Sequence, residues 1–107
     1  MRVEAAILEL QKLDRYILNP RHPRGRHKAR VFKQTLGIER SDAVWLRQAL
    51  LEGIKKGDAV ATAADAFGKR YRIDVPLERQ GRRAVVRTVW IERSGETVPR
   101  FITCWVL

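Results

Sequence analysis

Residues 70–91 read R-Y-R-I-D-V-P-L-E-R-Q-G-R-R-A-V-V-R-T-V-W-I. Tyr71, Ile73, Val75 and Leu77 alternate with Arg70, Arg72, Asp74 and Pro76, the period of a strand with one buried face. Arg79-Gln80-Gly81-Arg82 is a turn, and the β-branched run from Ala84 to Ile91 is a second strand. Ser94-Gly95-Glu96 marks another turn, after which Arg100 to Leu107 forms the last strand. Upstream, Ala59 to Phe67 has helical propensity by residue type. Gly68 and a strand follow it at once, so it is read as the first arm of a hairpin. Helical patterns occupy the rest. Ala6, Leu10, Leu13 and Ile17 follow three- and four-residue steps and suggest a first helix that ends before Asn19-Pro20. A second helix runs from Gly25 to Leu36, with Gly37 as a left-handed residue beyond its end. A third starts at Ser41 as N-cap, draws its apolar face from Val44, Trp45, Leu46 and Leu50 to Ile54, and closes on Lys55, Lys56 and Gly57. The expected fold is α+β. N-terminal helices (about 5–57) pack on a roughly four-stranded antiparallel sheet (about 59–107) in one domain, 1–107.

A chain of 107 residues buries about 65% of its unfolded surface, enough for one core without staples. Its 22 basic and 12 acidic residues give a net charge of +10, which favours a polyanion, an acidic protein or a membrane surface as partner. Cys104 is the only cysteine, so no intramolecular disulfide forms. Its apolar neighbours make it a buried small hydrophobe rather than a nucleophile. No signal peptide and no apolar run of membrane-spanning length is visible, so the expectation is a cytoplasmic protein without a membrane partner.

The charge is concentrated. From Asn19 to Lys33 the chain holds six Arg or Lys, two His and no acid. Asn19, Pro20, Pro23 and Gly25 make its start a loop, and Ala29, Phe32 and Leu36 carry it into a helix. A basic loop delivered onto a helix is a candidate phosphate site; a solvated charged face is the plainer alternative.

Metal chemistry finds little support, because His22 and His27 are separated by Pro23 and Gly25 and the acids are scattered singly. A single Gly25 makes no phosphate-cradling loop, and Ser41 and Ser94 read as a cap and a turn residue rather than nucleophiles. No metal and no cofactor are expected. What remains is phosphodiester cleavage in which RNA supplies its own 2′-hydroxyl. The protein then orients the groups, neutralises charge and moves protons. Arg24, Arg26, Lys28, Arg87 and Arg100 could supply charge, His22 or His27 a titrating ring, and Thr88 and Thr103 hydroxyls. Each has a plainer role. His22 could bond only loop backbone, and Lys28 could be a solvated helix lysine. Arg87, inside an apolar strand, must be ion-paired or face a groove. Thr88 and Arg87 should point to opposite sheet faces, with Trp90 on the face of Thr88. Thr103 should share the face of Phe101 and Trp105.

The stretches L-N-P-R-H-P-R-G-R-H-K-A-R-V-F at 18–32, L-G-I at 36–38, V-R-T-V-W-I at 86–91 and P-R-F-I-T-C at 99–104 resemble a bacterial domain-of-unknown-function family. Its pattern is L-N-P-x-H-P-x-G-x-x-K-A, then R-T-x-W and P-R-L-V-T; Phe101 stands here where Leu is common. Similar domains are stand-alone proteins or C-terminal modules of polymorphic toxins. They resemble the barnase, colicin-tRNase and RelE-like ribonucleases. The resemblance implies a metal-independent endoribonuclease toxin of a toxin–antitoxin or toxin–immunity pair. Its partners would be RNA, whether tRNA or mRNA, and an acidic cognate antitoxin or immunity protein. By motif, it implies catalytic roles for His22, Lys28, Arg87 and Thr103, and substrate binding by Arg24, Arg26, Thr88 and Arg100. Two readings from other classes stay open. One is a nucleic-acid-binding module without catalysis; the other is the neutralising, protein-binding member of such a pair.

Overall fold

The computed structural model describes residues 1–107. Four strands, β1 (Val60–Asp65), β2 (Gly68–Arg79), β3 (Arg82–Arg93) and β4 (Pro99–Val106), form an antiparallel meander in the order β1-β2-β3-β4. Two α-helices, α1 (Arg26–Leu36) and α2 (Ala43–Gly53), precede it. The fold is therefore α+β, with the helices N-terminal to the sheet.

The ambiguous alanine-rich segment is a strand. Asp65 pairs with Gly68 across a two-residue turn, and the Asp65 carboxylate accepts the Phe67 N–H at 2.9 Å. All six β1 side chains are exposed, so ladder hydrogen bonds hold β1 more than packing does. The turn at Gln80–Gly81 joins the two longest strands in unbroken register, from Arg79 opposite Arg82 to Gly68 opposite Arg93.

One sheet face carries Ile73, Val75, Leu77, Val86, Trp90, Phe101 and Cys104 into the core. Phe32 and Leu36 of α1, Leu46 and Leu50 of α2, and Leu13 and Ile17 before them close over it. Each such side chain contributes roughly 1.5–3 kcal/mol on burial. Gly37 ends α1 in the left-handed conformation (φ 66°), its N–H bonding Lys33 O.

The first helix departs from expectation. Ile7 is extended and bridges β4 in parallel fashion: its N–H reaches Pro99 O and its carbonyl takes the Phe101 N–H, both at 2.9 Å. Pairing with a sheet edge overrides the helical spacing of Ala6 and Leu10. Beyond it the chain makes one turn at 11–12 and a widened i→i+5 turn, Leu13–Ile17. Ser41 is not the N-cap of the third helix. It lies inside a 3₁₀ turn, Arg40–Asp42, where Glu39 and Asp42 cap each other reciprocally. That helix, α2, buries Ala43, Leu46 and Leu50 while Val44 and Trp45 stay exposed. It ends at Gly53, four residues before Gly57, and a side chain at Gly53 would strike Val75 of β2. No helix is long and apolar enough to cross a membrane.

Candidate active site

Asn19 starts the loop before α1. Its side-chain oxygen accepts the Arg21 N–H at 3.0 Å and its amide donates to Arg15 O at 3.2 Å. The loop then folds back on the widened turn. Gly25 lies so close to the Tyr16 carbonyl that a Cβ would collide with it. Gly25→Ala should therefore push the loop off Tyr16 and cost about 1–3 kcal/mol. A urea midpoint equal to the parent's would contradict this close approach.

His22 is locked by the same loop. Its Nδ1 accepts the N–H groups of Arg24 and Gly25, each at 3.0 Å, and its ring lies 4.5 Å from the Tyr16 ring, tilted by 52°. Two donors on Nδ1 require its lone pair, so the neutral ring carries its proton on Nε2. The free ring nitrogen is then a donor, not a base.

Lys28 leaves α1 toward the open half of the β4 edge. Its ammonium lies 5.6 Å from the ring centroids of both Tyr16 and Trp105 and donates to Thr103 Oγ1 at 2.8 Å. No carboxylate pairs with it in any of the nine ion pairs of the chain. Burial holds its pKa below the ordinary lysine value of 10.5, with the Cys104 site acting weakly in the opposite direction. Cys104 is fully enclosed and its thiol is pushed up to about 12, which fits an inert core residue.

Thr103 reaches Lys28 because β4 is irregular. Val89 pairs with Thr103 and Trp90 with Phe101, leaving Ile102 as an extra residue. Phe101 is thereby buried beside Trp90, while Trp105 lies opposite Arg87. Thr103 thus does not share one face with both Phe101 and Trp105. Such bulges re-aim side chains near functional sites. Lys12 braces this one by donating to Phe101 O at 2.7 Å.

These residues line an open cleft of about 670 Å³ whose walls include Glu9, Lys12, Arg15, Tyr16, His22, Lys28 and Thr103. Glu9 is its only carboxylate. Nowhere in the chain do three His, Cys, Asp or Glu side chains converge to hold a metal.

The family model described as "Domain of unknown function (DUF6883)" matches residues 1–107. The chain belongs to that family. No curated protein matches it. Among solved structures it is similar to a chain of a "Contact-dependent growth inhibition toxin - immunity protein complex from Klebsiella pneumoniae 342". The TM-score is 0.72 at 14% identity, over 95% of this chain and 100% of that one. At this identity the likeness is one of fold.

Of the residues singled out by sequence, this DUF6883 fold brings His22, Lys28 and Thr103 together. It sets the others elsewhere. Arg87 grips Asp74 with both arms, at 2.9 and 3.0 Å, and these hydrogen bonds hold the Asp74 carboxyl below its ordinary pKa. Thr88 is wholly buried. It donates to Ile73 O at 2.6 Å and accepts from Trp90 Nε1 at 2.7 Å. Both hydrogen bonds of that hydroxyl lie inside the core, where Thr88 ties β3 to β2 and holds the Trp90 ring. Arg100 pairs with Glu96 at 3.2 Å and lines a notch beside the cleft with Glu9 and Lys12. Arg24 is exposed on the loop, and Arg26 begins α1 beside a different cleft. Sequence reasoning missed Glu9, Lys12, Arg15 and Tyr16. Lys12, Arg15 and Tyr16 stand three and four residues apart, a polar stripe beside the apolar one that decided the helix reading.

Proposed function

We propose that the chain is a metal-independent endoribonuclease, the toxin of a toxin–immunity pair acting on cytoplasmic RNA. The observation that carries this reading is Lys28: a half-buried ammonium with no acid partner, framed by two aromatic rings and lining an open cleft. Partial burial without a carboxylate beside it disfavours the charged form, and a bound phosphate would offset that cost.

The chemistry follows from the walls. The RNA 2′-oxygen attacks the adjacent phosphorus, the bond to the 5′-oxygen breaks, and the departing 5′-oxygen takes a proton from solvent water, so that a 2′,3′-cyclic phosphate and a 5′-hydroxyl result. Lys28 neutralises charge on a non-bridging oxygen. Thr103 accepts from Lys28, so its own O–H is free to donate to the same phosphate. His22 Nε2–H is a further donor. Glu9, the one carboxylate of the cleft, takes the 2′-hydroxyl proton, since His22 Nδ1 is already occupied by the Arg24 and Gly25 N–H groups. Lys12 and Arg15 attract the flanking phosphates. Arg87 joins them only by giving up Asp74. The fold shared with a chain of a toxin–immunity complex, and the net charge of +10, support an acidic immunity protein as the second partner.

Induced expression in a bacterial host tests the pair. Growth should arrest, recover when the adjacent gene product is coexpressed, and continue unhindered with Lys28→Met. Unimpaired growth with the folded wild-type chain would oppose a toxin.

A further inference from the structure

α1 has two working flanks, and the cleft around Lys28 uses only one. At about 100° per residue, buried Ala29, Phe32 and Leu36 define the side of α1 that faces the core. Lys28 falls about 75° to one side of that direction, and Arg26, Arg30 and Lys33 fall about 70–130° to the other. The second flank borders its own cleft of about 600 Å³. This volume is in the range of small-molecule sites. Leu18, Ala29 and Ile38 close its bottom from the core and are themselves buried, while exposed Pro20, Arg26, Arg30 and Arg40 form its walls.

Its charge is uncompensated. The only acid in the lining is Glu39, and Lys33 already holds it at 3.2 Å. None of the arginines Arg26, Arg30 and Arg40 takes part in an ion pair or donates a side-chain hydrogen bond. Arginines elsewhere are also unpaired, Arg15 and Arg24 among them; what sets this cleft apart is that three such guanidiniums border one concavity whose sole carboxylate is already held. Three free guanidiniums in one cleft match the phosphates of a nucleic-acid strand, which their planar forks can take in pairs of hydrogen bonds.

We propose that this cleft is a second subsite for the RNA strand cut at Lys28. The proposal rests on the ribonuclease reading and adds to it a minimum substrate. A strand filling both clefts passes around the N-terminal end of α1, over the exposed and unpaired Arg24. That path is about 15–20 Å, on the order of five stacked nucleotides. The favoured substrate is therefore a single-stranded stretch or loop of at least that length, and not a dinucleotide.

Fluorescence anisotropy with a 12-nucleotide 2′-O-methyl RNA, which lacks the attacking hydroxyl, tests this. Wild type, Arg30→Ala/Arg40→Ala and Lys28→Met are titrated over a salt series, with thermal melts to show that each is folded. The double variant should bind roughly tenfold more weakly or worse. The slope of log affinity against log salt should shrink by about 1.4, for two lost phosphate contacts. Equal affinity and slope in the double variant, with Lys28→Met weakened, would overturn the second subsite and leave the ribonuclease reading standing. No binding by the wild type would overturn both. A double variant that binds RNA like wild type but loses the coexpressed acidic partner would assign the cleft to that protein, against the proposal.

Discussion

Lys28→Met removes RNA cleavage by at least about a hundredfold in kcat/KM, the scale of losing one preorganised charge-stabilising group, and leaves the fold intact. Methionine keeps the length that fills the space between Tyr16 and Trp105 and drops the charge. Because Lys28 is half-buried, with its charged form disfavoured by that burial and no acid partner beside it, thermal stability should hold or rise. That combination of lost activity and retained stability is the mark of a strained functional group. Lys28→Arg should not restore full activity, since a planar fork does not fit where a point charge sits between two rings above Thr103. The pH profile follows from the same burial. The ammonium is the active form and its pKa lies below 10.5, so cleavage should decline on the alkaline side before an ordinary lysine would titrate. A steady-state series on an RNA oligonucleotide, beside melts of the same preparations, reads all three effects.

Trp90→Ala should be the most damaging core change. Trp90 is wholly buried, meets Phe101 edge-on at 5.3 Å between ring centroids, and is tied to Thr88. Its removal should cost about 3–5 kcal/mol and lower Tm by more than about 10 °C. Thr88→Val separates packing from hydrogen bonding at the same place. It keeps the shape and strands the Trp90 N–H, at a cost of about 1–3 kcal/mol. If Thr88 only braces the core, the folded fraction of this variant cuts RNA like the parent. A variant that is stable yet inactive would return Thr88 to the substrate.

Much of the fold was legible because its signals are local. Alternation over 71–77 and the Gln80–Gly81 turn fixed β2 and β3, and glycine at 37 fixed the end of α1. The partner of Arg87 was within reach of the sequence and was missed, because the motif resemblance set Arg87 on the phosphate. Counting outward from Arg79 opposite Arg82 brings Asp74 opposite Arg87, so the turn itself announced the ion pair. Other features depend on contacts distant in sequence. Ile7 pairs with β4, some ninety residues on, and no periodicity reports that. The irregularity between Val89 and Trp90 moves Thr103 to Lys28, while strict alternation sets it beside Phe101 and Trp105. For the cleft, the loop-and-helix motif singled out His22 and Lys28, but the capping of His22 Nδ1 is a three-dimensional fact. It turns a candidate base into a donor and moves attention to Glu9, which lies in the segment misread as helix.

Incubation of purified, inhibitor-free protein with tRNA and total RNA in EDTA bears most directly on metal-independent cleavage at Lys28. The expected result is discrete fragments ending in 2′,3′-cyclic phosphate, present with the wild type and absent with Lys28→Met. Intact RNA after incubation with folded wild-type protein, or fragments that persist undiminished in Lys28→Met, would contradict it.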